Sequence, residues 1–238
     1  MRLEDSKPFA VGGRRWCFVD PRDPGRCIKV NRTDALRYGR TQPGLILPAK
    51  WRRAYDNNLD DHRQLGSLMR RIGDESYDHL PRTYGFVETD LGQGLVIDLF
   101  RDRDGAISRT LRELLCTGAD PAQFDSALDD LGAFMVRHRV LTRKLLDHNI
   151  VAQDTDRGWR LHIIDGVGEG AFVPVRRLVP ALARRRIAER IEEFRAVMRE
   201  RAANPDAPEL RDTTRWSQGF LDHRGVAGDE PRGPEPSR

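Results

Sequence analysis

Lysine is scarce in this chain. Of 41 basic residues among 238, four are Lys, at positions 7, 29, 50 and 144, and the remaining 37 are Arg. A basic residue placed without special demand is therefore nearly always Arg, and each Lys, a compact point charge on a flexible stem, marks a position to follow. Cysteine is scarce too: Cys17, Cys27 and Cys116 make an odd count with no C-x-x-C spacing, which removes a disulfide framework and a zinc site as leading readings and leaves small buried hydrophobes. No apolar run approaches the ~20 residues that a membrane-spanning helix requires. Residues 1–13 contain acids and lack an apolar stretch followed by small residues, so they do not read as a signal peptide, and a cytoplasmic protein is expected. What is present, 38% hydrophobic and 33% charged residues with a net charge of +4, describes a globular chain of one large domain or two small lobes.

The organisation follows from periodicity and turn residues. Phe9 to Val19 and Arg26 to Val30 read as two β runs joined by the turn-forming stretch Asp20 to Gly25. Tyr55, Leu59, Leu65, Leu68, Met69 and Ile72 fall largely on three- and four-residue steps, which predicts a helix. Arg82–Thr89 and Gly94–Phe100 form a second hairpin, ending in a polar hinge at Arg101–Gly105. From Asp120, an N-cap with Pro121 at the first helical position, a helix carries Phe124, Leu128, Leu131, Phe134 and Met135 on one stripe. Two short strands, Ile150–Ala152 and Leu161–Ile164, bracket a turn, and residues 178–201 form a strongly basic helix buried along Ile187, Ile191, Phe194 and Met198. The pattern predicts an α+β protein of two lobes: a strand-rich N-lobe over 1–100, a helical C-lobe over 101–203, and a proline-containing, largely disordered tail over 204–238. A hinge between lobes is a natural place for a ligand cleft.

Three groups of residues carry chemistry. Lys29 lies between Ile28 and Val30 in an apolar strand, one strand after Gly12 and Gly13. It is either an edge-strand lysine reaching solvent or a phosphate-facing lysine beneath a glycine hairpin whose N–H groups approach phosphate oxygens. Asn149 stands at the start of the later hairpin and Asp165 at its exit, sixteen residues on. The pair is either two ordinary turns or the oxygen-ligand set that Mg²⁺ uses together with substrate phosphates.

In this order the pieces resemble the protein-kinase-like fold: glycine hairpin, strand lysine, helix, hinge, loop asparagine and the aspartate of a D-x-G turn. The stretches Gly13–Pro21, Arg26–Val30 and Leu80–Asp90, with the later Ile164–Glu169, resemble the YrbL family of bacterial PhoP-regulatory-network proteins over about Pro8 to Val179. The resemblance implies an ATP cleft with Gly12 and Gly13 over the phosphates, Lys29 on their oxygens, and the 96–102 segment, Asp98 within it, along the adenine. It also implies Mg²⁺ held by Asn149 and Asp165. The chain departs from the kinase pattern at Ala10, which replaces the first loop glycine, and at Gln64, where the helix carboxylate is expected, with Asp60 and Asp61 a turn earlier. The largest departure is Lys144, at the position of the catalytic aspartate, five residues before Asn149. A charged lysine cannot accept a hydroxyl proton, a contribution typically worth roughly 10²–10⁴-fold. Touching the γ-phosphate, Lys144 is the candidate for supporting slow transfer through positioning and charge.

Three functions compete: a catalytically weak or inactive kinase-like protein that binds ATP and Mg²⁺ and acts on a protein partner by conformation; an active phosphotransferase on a protein or small molecule; and a nucleic-acid binder. The last rests on residues 176–201, nine Arg against four Glu, including Arg184–Arg186. A solvated face with internal Glu–Arg pairs is the commoner origin of such a helix, so nucleic acid is not the favoured partner.

Overall fold

Alternating apolar residues and closely spaced turns build the first part of the chain as a sheet, seen in a computed structural model that describes residues 1–12, 15–32, 57–142, 145–167 and 180–205. Gly13, Lys144 and the tail beyond residue 205 lie outside the described residues. Among the described residues, one compact unit holds Met1–Arg63 and Thr83–Leu99, and a second holds Gln64–Arg82 and the residues from Phe100 onward. The α+β expectation holds, with an antiparallel sheet early and helices late.

The first unit contains strands β1 (Ala10–Val11), β2 (Arg15–Asp20), β3 (Asp23–Asn31), β4 (Thr83–Thr89) and β5 (Gly92–Asp98), in the order β1-β2-β3-β5-β4 with every pair antiparallel. The run read as one strand from Phe9 is therefore two, folded back at Gly12, whose N–H donates to the Arg15 carbonyl at 2.8 Å. The glycine thus lies in the turn of a hairpin. One face of the sheet packs Trp16, Phe18, Ile28, Val30 and Val96 against Leu3. The Asp90 carboxylate fastens this N-terminal segment by accepting the Leu3 N–H at 2.8 Å. Gly94 is required on that face, since a Cβ there would come within 2.4 Å of the Ile28 Cγ2. β3 is central, and its residues Cys27 to Val30 are buried on both faces. Helix α1 (Asn57–Ile72) follows, as the periodicity predicts.

In the second unit, β6 (Arg109–Thr110), β7 (Ile150–Thr155) and β8 (Gly158–Ile163) form a three-stranded sheet in that order. The short helix α2 (Leu111–Cys116) leaves β6 directly, its N-cap Thr110 accepting the Glu113 N–H. Asp120 caps as expected, accepting from the Ala122 N–H at 2.9 Å, but the first turn, Pro121–Phe124, is a 3₁₀ turn before α3 (Asp125–His138) begins. Helix α4 (Pro180–Ala203) buries Ile187, Ile191, Phe194 and Met198 and packs on α2 and α3. It approaches α3 closely at Gly132, where a Cβ would sit 3.3 Å from the Ile191 Cγ1. The outer edge of β8 meets His79: its carbonyl accepts the Ile163 N–H at 2.9 Å, and its Nδ1–H donates to the Leu161 carbonyl at 2.8 Å. The polar segment 101–105, expected as a hinge, follows the Leu99/Phe100 boundary of the two units and is hydrogen-bonded within the second. Asp102 accepts both the Ser108 hydroxyl at 2.6 Å and the Asp154 N–H at 3.0 Å, and Arg103 N–H donates to the Asp154 carbonyl.

Candidate functional site

In the first unit, strand alternation and register put Cys17, Lys29 and Leu95 side by side on the sheet face opposite the Leu3 core. Lys29 is only 5% exposed, so the edge-strand reading gives way to a lysine held inside the sheet. The same face meets the first turns of α1. The Asn58 amide donates to the Lys29 carbonyl at 2.8 Å, and the Arg15 guanidinium reaches Asp61 at 2.5 Å and Asn58 at 3.4 Å. Asp61, one of the two carboxylates considered for Lys29, is thus engaged by Arg15, a residue that the sequence reading passed over. Neighbouring Cys27 is fully enclosed, and burial pushes its thiol up to about 12, which makes it an inert core residue. Gly12 accepts from the Arg32 guanidinium at 3.2 Å through its carbonyl, so both its backbone groups are used inside the loop. Asp98 ends β5, where its carboxylate accepts the Tyr84 hydroxyl at 2.7 Å while Arg26 stacks over the Tyr84 ring at 3.8 Å. The next backbone N–H, of Leu99, donates to Gly25.

In the second unit, Asn149 and Asp165 are brought together as the hairpin predicts. A 3₁₀ turn, Asp147–Asn149, feeds β7, and the Asn149 carbonyl accepts the Ile164 N–H at 2.9 Å, one register step beyond the Ile150–Ile163 pair. Asp165 then accepts the Gly166 N–H at 2.6 Å, and Gly166 adopts the left-handed conformation at φ 77° that this sharp exit demands. A bridge between Thr142 and Val167 ties the segments on either side of the hairpin.

Asp147 is the most tightly held residue of this turn. It is 1% exposed; one carboxylate oxygen takes Arg112 Nε at 2.9 Å, Arg112 Nη2 at 2.6 Å and the His148 N–H at 3.0 Å, and the other takes Arg201 Nε at 2.9 Å. Burial alone would raise its pKa, but contacts from His148, the Arg112 hydrogen bonds and the Arg112 and Arg201 charges prevail and hold it well below the usual carboxylate range. Sequence reasoning missed Arg112 and Arg201; the one usable signal was Arg112 and Glu113 set among Leu111, Leu114 and Leu115. His162, on β8, is another buried polar group. Burial pushes it down to about 3, its ring stacks on Phe100 at 3.7 Å, and its Nε2 faces Gln153 Oε1 at 2.9 Å.

Asn149 and Asp165 present only oxygen donors, and among the described residues no three His, Cys, Asp or Glu side chains gather as an all-protein cage. That set fits Mg²⁺, which binds one or two protein oxygens and completes its shell with water and phosphate, better than zinc or calcium. The basic helix α4 is largely neutralised by its own carboxylates and its neighbours. Arg185 and Arg186 pair with Glu189, Arg190 with Glu193, Arg195 with Asp125 and Asp129 of α3, and Arg201 with Asp147. Among the described residues, no helix is long and apolar enough to cross a membrane.

The family described as PhoP regulatory network protein YrbL matches residues 1–199. Two curated relatives, the YrbL proteins of Escherichia coli (strain K12) and Shigella flexneri, are each 30% identical over 182 residues, covering 74% of this chain and 77% of theirs. Solved structures similar to it are forms of the Mycobacterium tuberculosis PknI kinase domain. A double mutant is 13% identical, with 91% of this chain and 87% of that one covered at a TM-score of 0.45. A single mutant is 12% identical, with 68% of this chain but only 59% of that one covered at a TM-score of 0.43.

Proposed function

Because the chain belongs to the family of YrbL-type PhoP regulatory network proteins, we propose that it is a kinase-like regulatory protein that binds ATP with Mg²⁺ and acts through its conformation on a protein partner. The observation that carries this reading is Lys29. A chain that uses Arg for 37 of 41 basic residues keeps a Lys, 5% exposed, in the central strand of its larger sheet. A compact ammonium on a flexible stem can meet phosphate oxygens as a point charge, without the fixed planar fork of a guanidinium.

In this reading Lys29 neutralises phosphate oxygens, the glycine turn beginning at Gly12 lies over them, and backbone near Asp98 meets the base while its carboxylate stays with Tyr84. Asn149 and Asp165 hold Mg²⁺, which supplies charge neutralisation at the phosphates. Asn58 fixes the backbone of Lys29 on β3, and Arg15 of β2 with Asp61 holds α1 against the same sheet. Lys144, at the base position, cannot take a hydroxyl proton while charged, which leaves transfer slow or absent. A cytoplasmic location belongs to the same reading, supported by three cysteines that form no disulfide.

Titration with a fluorescent ATP analogue plus Mg²⁺ tests this. Wild type should bind saturably and gain thermal stability, since ligand at 100 times Kd contributes about 2.7 kcal/mol. Lys29→Ala should lose that binding while keeping its far-UV circular dichroism. Equal binding by the variant, or none by wild type, would overturn the reading.

A further inference from the structure

Resting on that nucleotide reading, we propose that Arg201, at the end of α4, is a positioning residue for the Asn149–Asp165 metal-ligand pair and acts through Asp147. The chain of contacts is short and lies within one compact unit. Arg201 Nε donates to one oxygen of Asp147 at 2.9 Å, and Arg112 occupies the other with two donors at 2.9 and 2.6 Å. Asp147 opens the 3₁₀ turn that ends at Asn149, and that turn is closed by the Asn149 N–H on the Leu146 carbonyl at 2.9 Å. The Asn149 carbonyl in turn takes the N–H of Ile164, the residue before Asp165. Asp147 is joined to Asn149 through the backbone of this one turn, and Asn149 to the residue before Asp165 by one hydrogen bond, so a shift of the Asp147 carboxylate is passed to the segments that carry both oxygen donors.

The division of labour between the two arginines is set by chemistry and place. Arg112 comes from α2, 35 residues before Asp147, is 7% exposed at its side chain, and fixes where the carboxylate lies. Arg201 comes from 54 residues after Asp147, is 20% exposed, and sets which way the second oxygen points. An isolated salt bridge at the rim of a protein contributes little to stability. This one ends on a buried carboxylate shared with Arg112, at the start of the turn that presents a ligand, and groups that orient ligands typically change metal affinity by roughly 10–100-fold when removed. Helix α4 is otherwise held by Ile187, Ile191, Phe194 and Met198, so removing Arg201 leaves its packing in place.

The test compares wild type, Arg201→Ala and Arg201→Lys. With the fluorescent ATP analogue, Arg201→Ala should bind in EDTA within about twofold of wild type. Its half-saturating Mg²⁺ concentration in the presence of the analogue should rise roughly tenfold or more, and Arg201→Lys should recover part of that rise. A variant with a lowered melting temperature but an unchanged Mg²⁺ requirement is merely structural and overturns the proposal. A second measurement needs no nucleotide. Hydrogen exchange in Arg201→Ala should speed up at residues 147–150 and 163–166 while the α3 amides keep wild-type protection. Unchanged exchange there refutes the coupling through Asp147. If wild type binds no nucleotide while exchange at 147–150 and 163–166 does respond, the coupling stands and the nucleotide reading is what fails.

Discussion

Replacing Asp147 with Ala removes the one carboxylate between two guanidiniums, and the consequence can be worked out from their surroundings. Arg112, 7% exposed at its side chain, has no route to water when its partner goes; Arg201, 20% exposed, can turn its head outward. Breaking a buried pair from one side typically costs about 3–5 kcal/mol, because the remaining charge stays desolvated. Most of that cost here belongs to Arg112, since rim-exposed pairs contribute about 1 kcal/mol or less. For a chain of this size each kcal/mol moves Tm by about 2–4 °C, so a fall of roughly 6–20 °C is expected. Urea unfolding followed by far-UV circular dichroism gives the free energy directly, with the m-value unchanged if the native fold is kept. The double variant Arg112→Met/Asp147→Leu should recover most of the loss, as apolar replacements of buried pairs often do. The pH dependence has a definite sign. The folded Asp147 carboxyl is held below its ordinary value of 3.8, so its contribution is fully present above that value and disappears only as pH falls through the folded value. The part of the gap that comes from Asp147's own ionisation should therefore be present above about pH 5 and close in stronger acid. A loss below about 1 kcal/mol, or a gap that stays fully open in strong acid, would refute the reasoning.

Three other outcomes are expected. His162 is neutral in the fold down to about pH 3 but titrates near 6.5 when unfolded, so stability rises with pH across that window. The slope is at most about 1.4 kcal/mol per unit, and His162→Leu should lose that part of it in acid titrations read by fluorescence. Gly94→Ala should destabilise by about 1–3 kcal/mol in urea because its Cβ would lie 2.4 Å from Ile28, although alanine ordinarily favours a folded chain over glycine. A neutral or stabilising result would show that β3 and β5 have slack. Lys144→Asp should raise ATP turnover by roughly 10²-fold or more if loss of the base is what slows transfer, and unchanged turnover would exclude that cause.

The parts of the fold that could be read in advance are those whose signal is local. Phe124 of the 3₁₀ turn with Leu128, Leu131, Phe134 and Met135 on α3, and Ile187, Ile191, Phe194 and Met198 on α4, are all buried as their spacing predicts. The three expected hairpins are also found between the runs read as strands. Elements too short to show a period escaped notice: the two-residue β6 and the six-residue α2 carry no repeating pattern, yet they deliver Arg112. Lys29 was legible as a lysine among apolar neighbours, and Asn149 with Asp165 was legible because one hairpin joins them. The Arg112–Asp147–Arg201 and Arg15–Asp61 contacts were not, since each joins residues 35 or more apart. An arginine in a chain with 37 of them gives no hint of which carboxylate it will find.

The position of His79 has a consequence for the life of the protein at high concentration. A terminal strand such as β8 exposes backbone donors and acceptors that can template pairing with another chain. His79 imitates a neighbouring strand, filling the Ile163 N–H with its carbonyl and the Leu161 carbonyl with its ring. Because Nδ1 is the donor, protonation of the other ring nitrogen leaves that bond intact. Burial also pushes the imidazole below its ordinary value, which favours the neutral ring. One side chain and its own peptide thereby close this stretch of the sheet edge to strand addition, beside the Arg160–Asp78 ion pair.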